Sequence, residues 1–311
     1  MLNFDHILLV GFGGPERIED VRPFLAKVAE GRAIPEERLK GVEHHYEVIG
    51  GFSPYNQHAM KLKMDLEESL RSRGVGVPVL IGMRNWHPFL DDTLKVIKAR
   101  EYKRGLALIL SVQRSISSCA QYKDNVAAAK LSVGAEELSY EFSPSWGTHP
   151  DFIEAQSDQV RSALNARGWD IKDVHLVFTV HSIPAEMAAA CKFCDYCAEF
   201  AECSRRIAER LDSGRWSQAY QSRSGSPRQP WLEPDISEEL RRLADEGVKR
   251  VVVVPVGFLF DNAEVLFDLD VEARDAAAAA GLDFVRAATV MGHPALIKMM
   301  ADWAVQKVNV R

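Results

Sequence analysis

Four consecutive β-branched residues, Val251-Val252-Val253-Val254, constrain this chain more than any other feature. Such a run has no polar face, so it fits a strand buried on both sides, as in a parallel sheet covered by helices. After Pro255-Val256-Gly257 the period changes. Glu264, Asp268 and Glu272 recur every four residues. On a helix turning about 100° per residue they drift by only about 80°, which makes one acidic ridge. Asp261 extends the ridge by a turn towards the strand. A row of carboxylates suits a solvated helix face, or a site that handles cations or protons. The strand–turn–helix setting favours the site, because open α/β sheets bind their ligands at strand C-termini.

The same alternation recurs along the 311 residues. Apolar runs predict strands at 7–10, 77–83, 105–111 and 138–142, then at 174–180, 218–221, 251–256 and 284–288. Helical spacing separates them, and a C-terminal helix carries Leu296, Met299, Met300 and Trp303 on one stripe. The expected fold is α/β: two Rossmann-like domains, each with a mainly four-stranded parallel sheet flanked by helices. Residues 1–150 with 291–311 form domain I, and 151–290 form domain II.

A net charge of −6 gives no basic surplus for nucleic acid. The first residues lack a basic, apolar leader pattern, and no apolar run reaches the ~20 residues of a membrane span. The expected location is the cytosol, with at most peripheral membrane contact, as a monomer or dimer.

Three groups of residues carry chemistry. His181 follows an apolar strand directly and is a candidate metal ligand or base. The Gly-rich turn Gly11-Phe12-Gly13-Gly14 and the loop from His44 to Pro54 allow close backbone approach to a ligand. Cys191, Cys194, Cys197 and Cys203 stand in a C-x2-C-x2-C-x5-C pattern. Outside oxidising compartments such crowding points to a metal before disulfides. Zinc prefers paired knuckles farther apart, whereas successive spacings of three suit iron–sulfur ligation.

Thr179-Val180-His181-Ser182-Ile183-Pro184 resembles the ferrochelatase motif around its essential histidine, and Pro255-Val256-Gly257-Phe258 with Asp261, Glu264, Leu266 and Asp270 resembles that family's acidic motif. Tyr46 to Pro54, Gly82-Met83-Arg84, Trp86-His87-Pro88-Phe89, Gln221-Ser222-Arg223 and Trp231-Leu232-x-Pro234 follow the family order. Asn262 stands where the family usually has histidine. The resemblance implies insertion of Fe(II) into protoporphyrin or coproporphyrin late in haem synthesis. It makes His181 and Glu264 the central catalytic and metal-binding pair, facing each other across the macrocycle in a cleft between the domains. Asp261, Asp268 and Glu272 become a path for cations or protons. Phe12, His45, Tyr46, Ser53, Tyr122 and Trp231 become porphyrin contacts, and the four cysteines a 2Fe–2S cluster, with zinc as the alternative. Phe12 has no phenolate and cannot ligate iron. Arg32 alone stands near the place of the family's paired arginines. A cobalt or nickel chelatase, and a haem or iron sensor on a chelatase scaffold, are the other readings.

Overall fold

The computed structural model describes residues 3–31, 34–191, 194–224 and 228–309. Arg32 lies outside them. The chain divides into two compact units: Met1–Ser111, Ser117–Pro144 and Gly292–Arg311 form the first, and Val112–Ile116 with Ser145–Met291 the second.

The first unit holds β1 (His6–Gly11), α1 (Ile18–Val28), α2 (Glu36–Val48), α3 (Tyr55–Ser72), β2 (Val79–Met83), α4 (Leu90–Ala99), β3 (Arg104–Ile109), α5 (Gln121–Ser132) and β4 (Ser139–Phe142). Its strands are all parallel, in the order β2-β1-β3-β4. All six residues of β1 are buried, which is why Ile7 to Val10 form an unbroken apolar run. A C-terminal helix, Pro294–Asn309, packs on α3 and is fastened by an Arg73–Asp302 ion pair.

His6 is a fully buried titratable group of this unit. Its Nε2 lies 3.0 Å from the Tyr140 hydroxyl and its ring stacks on Tyr102. The fit is close: a Cβ on Gly105 would come within 2.5 Å of His6 Nε2. Burial holds His6 down at about 4, against a smaller upward pull from Asp5. The unfolded chain therefore binds a proton that the folded chain refuses between pH 6.5 and 4. The stability due to a neutral His6 is complete above pH 6.5 and drains away below it, by ~3 kcal/mol in all. Urea midpoints should fall across this window in the native protein and fall less in His6→Phe.

The second unit contains α6 (Pro150–Arg167), β5 (His175–His181), α7 (Ala185–Ala190), α8 (Tyr196–Arg210), β6 (Trp216–Gln221), α9 (Ile236–Asp245), β7 (Arg250–Pro255), α10 (Arg274–Ala279) and β8 (Asp283–Arg286). It too has a parallel sheet, β6-β5-β7-β8, with Val251 to Val254 fully buried in β7. Between β7 and α10 lies a nine-residue π-helix, Val265–Ala273. Such helices close i→i+5, usually last a single turn and collect at functional sites. β5 and β7 are neighbours, so both strands end at the same edge. There the loop after β7 passes hard against β5: a Cβ on Gly257 would lie 3.0 Å from Val180 Cα. Gly257→Ala should therefore push the loop away from the residue that precedes His181 and lower the melting temperature by several degrees.

Candidate active site

His181 ends β5, and Glu264 opens the π-helix after β7. Their side chains meet, with His181 Nε2 3.4 Å from Glu264 Oε1. The pair is reachable, at 30% and 44% exposed. His181 Nδ1 is held by the carbonyl of Ser182, an acceptor only, so Nδ1 carries a proton and Nε2 is the reactive nitrogen. Contact at this distance leaves no space for a macrocycle between the two groups. The expectation that they face each other across a gap is corrected: they stand side by side, because their strands are adjacent.

Burial pulls the His181 imidazole down, but the Glu264 carboxylate, its hydrogen bond, the Ser182 carbonyl and Asp268 outweigh it and lift His181 to about 9. Asp268 follows Glu264 by one turn. It is 8% exposed and accepts from the Ser222 hydroxyl. Burial, with the nearby Glu264 and Glu272 charges, raises Asp268 to about 7 against the pull of Ser222 and His181. Glu272 is raised too, by burial and by Asp235. Asp268 and Glu272, both raised, thus continue at four-residue intervals from Glu264. Ser222 holds its place with a left-handed backbone, φ 62°, a strained conformation for a residue with a Cβ.

Asp261 does not belong to this row. Both its oxygens lie 3.2 Å from Arg286, and Thr289 donates to it at 3.0 Å. The same guanidinium bonds Asp270 at 2.6 and 2.8 Å. Arg286 therefore grips the chain on both sides of Glu264 and Asp268. Asn262 caps the start of the π-helix, accepting from the Val265 amide at 2.9 Å. Trp231 lies beside the segment after His181: its neighbour Leu232 bonds Ile183 and Ser182 at 3.0 and 2.8 Å. Trp231 Nε1 and Gln221 Nε2 are buried donors with no partner.

The other expected porphyrin contacts lie in the first unit. Phe12 follows β1, Ser53 precedes α3, and Tyr122 is in α5. His45 and Tyr46 are not in a loop, as the glycines nearby suggest, but in α2. Phe24 meets Phe12, Tyr46 and Trp86 edge-on, each at 6.2 Å. Arg84 ends the Gly82-Met83-Arg84 run, in which nothing local marks it as functional. Its guanidinium stands 4.6 Å from the Tyr122 ring centre and 5.6 Å from that of Phe12, and its Nε is buried without a partner.

The cysteines do not converge as expected. Cys191 and Cys194 are joined by a disulfide. Cys197 lies in the first turn of α8, where the Tyr220 hydroxyl approaches its sulfur at 3.7 Å. Cys203 is fully buried in the same helix. Six residues of helix separate Cys197 from Cys203 by about 9 Å along the axis and place them on different faces. Among the described residues, no three His, Cys, Asp or Glu side chains are placed to hold a metal ion.

The ferrochelatase family pattern matches residues 5–308. The chain belongs to the ferrochelatase family. It is 38% identical over 302 residues to a coproporphyrin III ferrochelatase of Mycolicibacterium smegmatis, covering 97% of this chain and 89% of that one. It is 38% identical to a ferrochelatase of Rhodopirellula baltica, over 98% of this chain and 87% of its relative. A coproporphyrin III ferrochelatase of Streptomyces griseus is 39% identical, with 98% and 85% covered. In fold, the chain resembles SirB from Bacillus subtilis with Fe3+, with TM-score 0.61, 11% identity, and 98% and 95% of the chains covered. It also resembles CbiX, the terminal enzyme for siroheme biosynthesis in denitrifying bacteria, with TM-score 0.54, 15% identity, and 97% and 98% covered. The two four-stranded parallel sheets are thus a chelatase fold. As a ferrochelatase, this enzyme inserts Fe(II) into a porphyrin in haem synthesis. Among the described residues, no helix is long and apolar enough to cross a membrane.

Proposed function

We propose that the second unit handles metal and protons, that the first recognises the porphyrin, and that the substrate is coproporphyrin III. One observation carries the chemical part: the contact of His181 Nε2 with Glu264, continued by Asp268. Metallation must remove two pyrrole N–H protons while a hydrated cation sheds water. At neutral pH the His181–Glu264 pair holds a proton. Passing that proton to Asp268, which binds one at about 7, frees Nε2 for a pyrrole proton. Glu264 remains as a carboxylate for Fe(II), a borderline cation that takes mixed imidazole and carboxylate ligands. Glu272 continues the row outwards. This reading makes the ridge a proton relay, with Asp261 outside it.

Arg84 supports the porphyrin part. A guanidinium resting on two aromatic rings, with an unpaired Nε, is ready for a carboxylate of the kind coproporphyrin carries. Phe12 and Tyr122 supply stacking surface. The relatives named for coproporphyrin III favour that substrate. The test is an anaerobic Fe(II) insertion assay with coproporphyrin III and protoporphyrin IX, in which the tetracarboxylate should have the higher kcat/KM. Arg84→Leu should raise the KM for coproporphyrin about tenfold, the worth of one charge-assisted bond, with little change in kcat. An unchanged KM would remove Arg84 from substrate binding.

A 2Fe–2S cluster forms no part of this reading. Four thiolates on Cys191, Cys194, Cys197 and Cys203 do not fit the arrangement: two are spent in a disulfide, and Cys203 faces the core.

A further inference from the structure

The Cys191–Cys194 disulfide borders an open pocket of about 640 Å³, lined also by Arg114, Ala185, Ala189, Asp195 and Cys197. Disulfides buried inside a core are out of reach of other thiols; this one has space beside it and a third cysteine on the same wall. It also sits at a joint. Cys191 closes the C-terminus of α7, which begins four residues after His181, and Cys194 precedes Asp195, the residue that caps α8 by accepting from the Ala198 amide at 2.8 Å. The next residue, Tyr196, is buried and donates its hydroxyl to the backbone carbonyl of His181 at 2.8 Å. The disulfide therefore ties together the two segments that hold His181, one through the chain and the other through Tyr196.

We propose that Cys191 and Cys194 form a thiol–disulfide exchange site for a small dithiol reductant, and that its state sets how firmly Tyr196 holds His181. In the forward step a thiolate of the dithiol attacks one sulfur of the pair. The Cys191–Cys194 bond breaks, one cysteine leaves as thiolate, and a mixed disulfide forms. The second thiol of the reductant then displaces the other cysteine. Two electrons and two protons pass to the pair, and the reductant leaves as its own disulfide. The reduced joint no longer closes the loop, and α8 loses one anchor of its first turn. The oxidised form is the one with His181 held in place, so reduction lowers turnover.

The test uses the full chain, prepared without air and divided into dithiol-reduced and reoxidised samples. Thiol titration of the unfolded protein should count all five cysteines reduced in the first and three in the second, with peptide mapping placing the bond at Cys191–Cys194. Fe(II) insertion should be about fivefold or more slower in the reduced sample, the size of an ordinary coupling between two sites. Cys191→Ser and Cys194→Ser should be fixed at the slow rate and ignore the reductant. Tyr196→Phe should still form the disulfide but lose the difference between states. The thiol count does not depend on activity, so failure of the switch and failure of the chelatase reading are distinguishable. Equal rates in both states, a bond mapped elsewhere, or iron and sulfide bound by these cysteines in the air-free protein would each overturn the proposal.

Discussion

Glu264→Gln should lower Fe(II) insertion by about a hundredfold, and it should also move the pH profile in a direction that can be stated in advance. A proton acceptor at His181 Nε2 must be neutral. With His181 at about 9, kcat/KM in the native enzyme rises as pH increases towards 9. Glu264 is the strongest upward influence on that imidazole, and burial alone pulls the other way. The amide keeps the shape and removes the charge, so the rising limb moves to lower pH. The stability sign agrees: a raised histidine contributes stability that is full below pH 6.5 and is lost as pH climbs through about 9. The variant should lack that alkaline loss. Asp268→Asn should remove a separate limb near pH 7, where the Asp268 carboxyl ionises. A Glu264→Gln enzyme with an unmoved limb would show that His181 is not the acceptor.

The second large effect is expected at Arg286, which no sequence pattern marks. Arg286 is 12% exposed and is the shared cation of Asp261 and Asp270. Arg286→Met leaves two carboxylates facing each other in a largely dry place, and breaking a buried pair from one side costs ~3 kcal/mol or more. The melting temperature should drop, and turnover should fall as the π-helix loses its hold on both sides of Glu264. Arg286→Lys keeps the charge but not the fork that reaches two carboxylates, so it should recover stability only in part. Adding Asp261→Asn and Asp270→Asn to Arg286→Met should restore much of the lost stability, because the uncompensated charges go with them. If the triple variant is no more stable than Arg286→Met, the clamp is not electrostatic. Differential scanning calorimetry decides between these outcomes.

The central strands could be read from the chain because strands buried on both faces are forced to be apolar, as in Ile7 to Val10 and Val251 to Val254. His181 and Glu264 were legible for a related reason: parallel strands aim their C-termini at one edge, and both residues follow strand ends. α2 was not legible. Tyr46 is the one buried residue in its thirteen, so no apolar period announces it. The π-helix was hidden because carboxylates four apart suit more than one helical pitch. The cysteine spacing misled for a geometric reason. Its last interval runs along a continuous helix, which carries Cys203 round to the core, and spacing alone does not say whether a segment loops or winds. Arg286 gave no local pattern, and the motif that ends in Arg84 gave that residue no role. Their importance comes from partners distant in sequence: Asp261 and Asp270 for one, Phe12 and Tyr122 for the other.

The C-terminal helix that packs on α3 makes the order of synthesis matter. Leu62, Leu66 and Leu70 in α3 are buried in the finished protein, and Leu296, Met299, Met300 and Ala304 are buried in the helix packed on α3. A nascent chain makes β1 to β4 early but lacks the helix that packs on α3 until residues 294–309 leave the ribosome. Domains ordinarily mature from the N-terminus onwards. Here the sheet made first is completed last, after the whole of the unit carrying His181 has emerged. Through that interval a greasy helix face stays uncovered, and the growing chain has its greatest need of a chaperone.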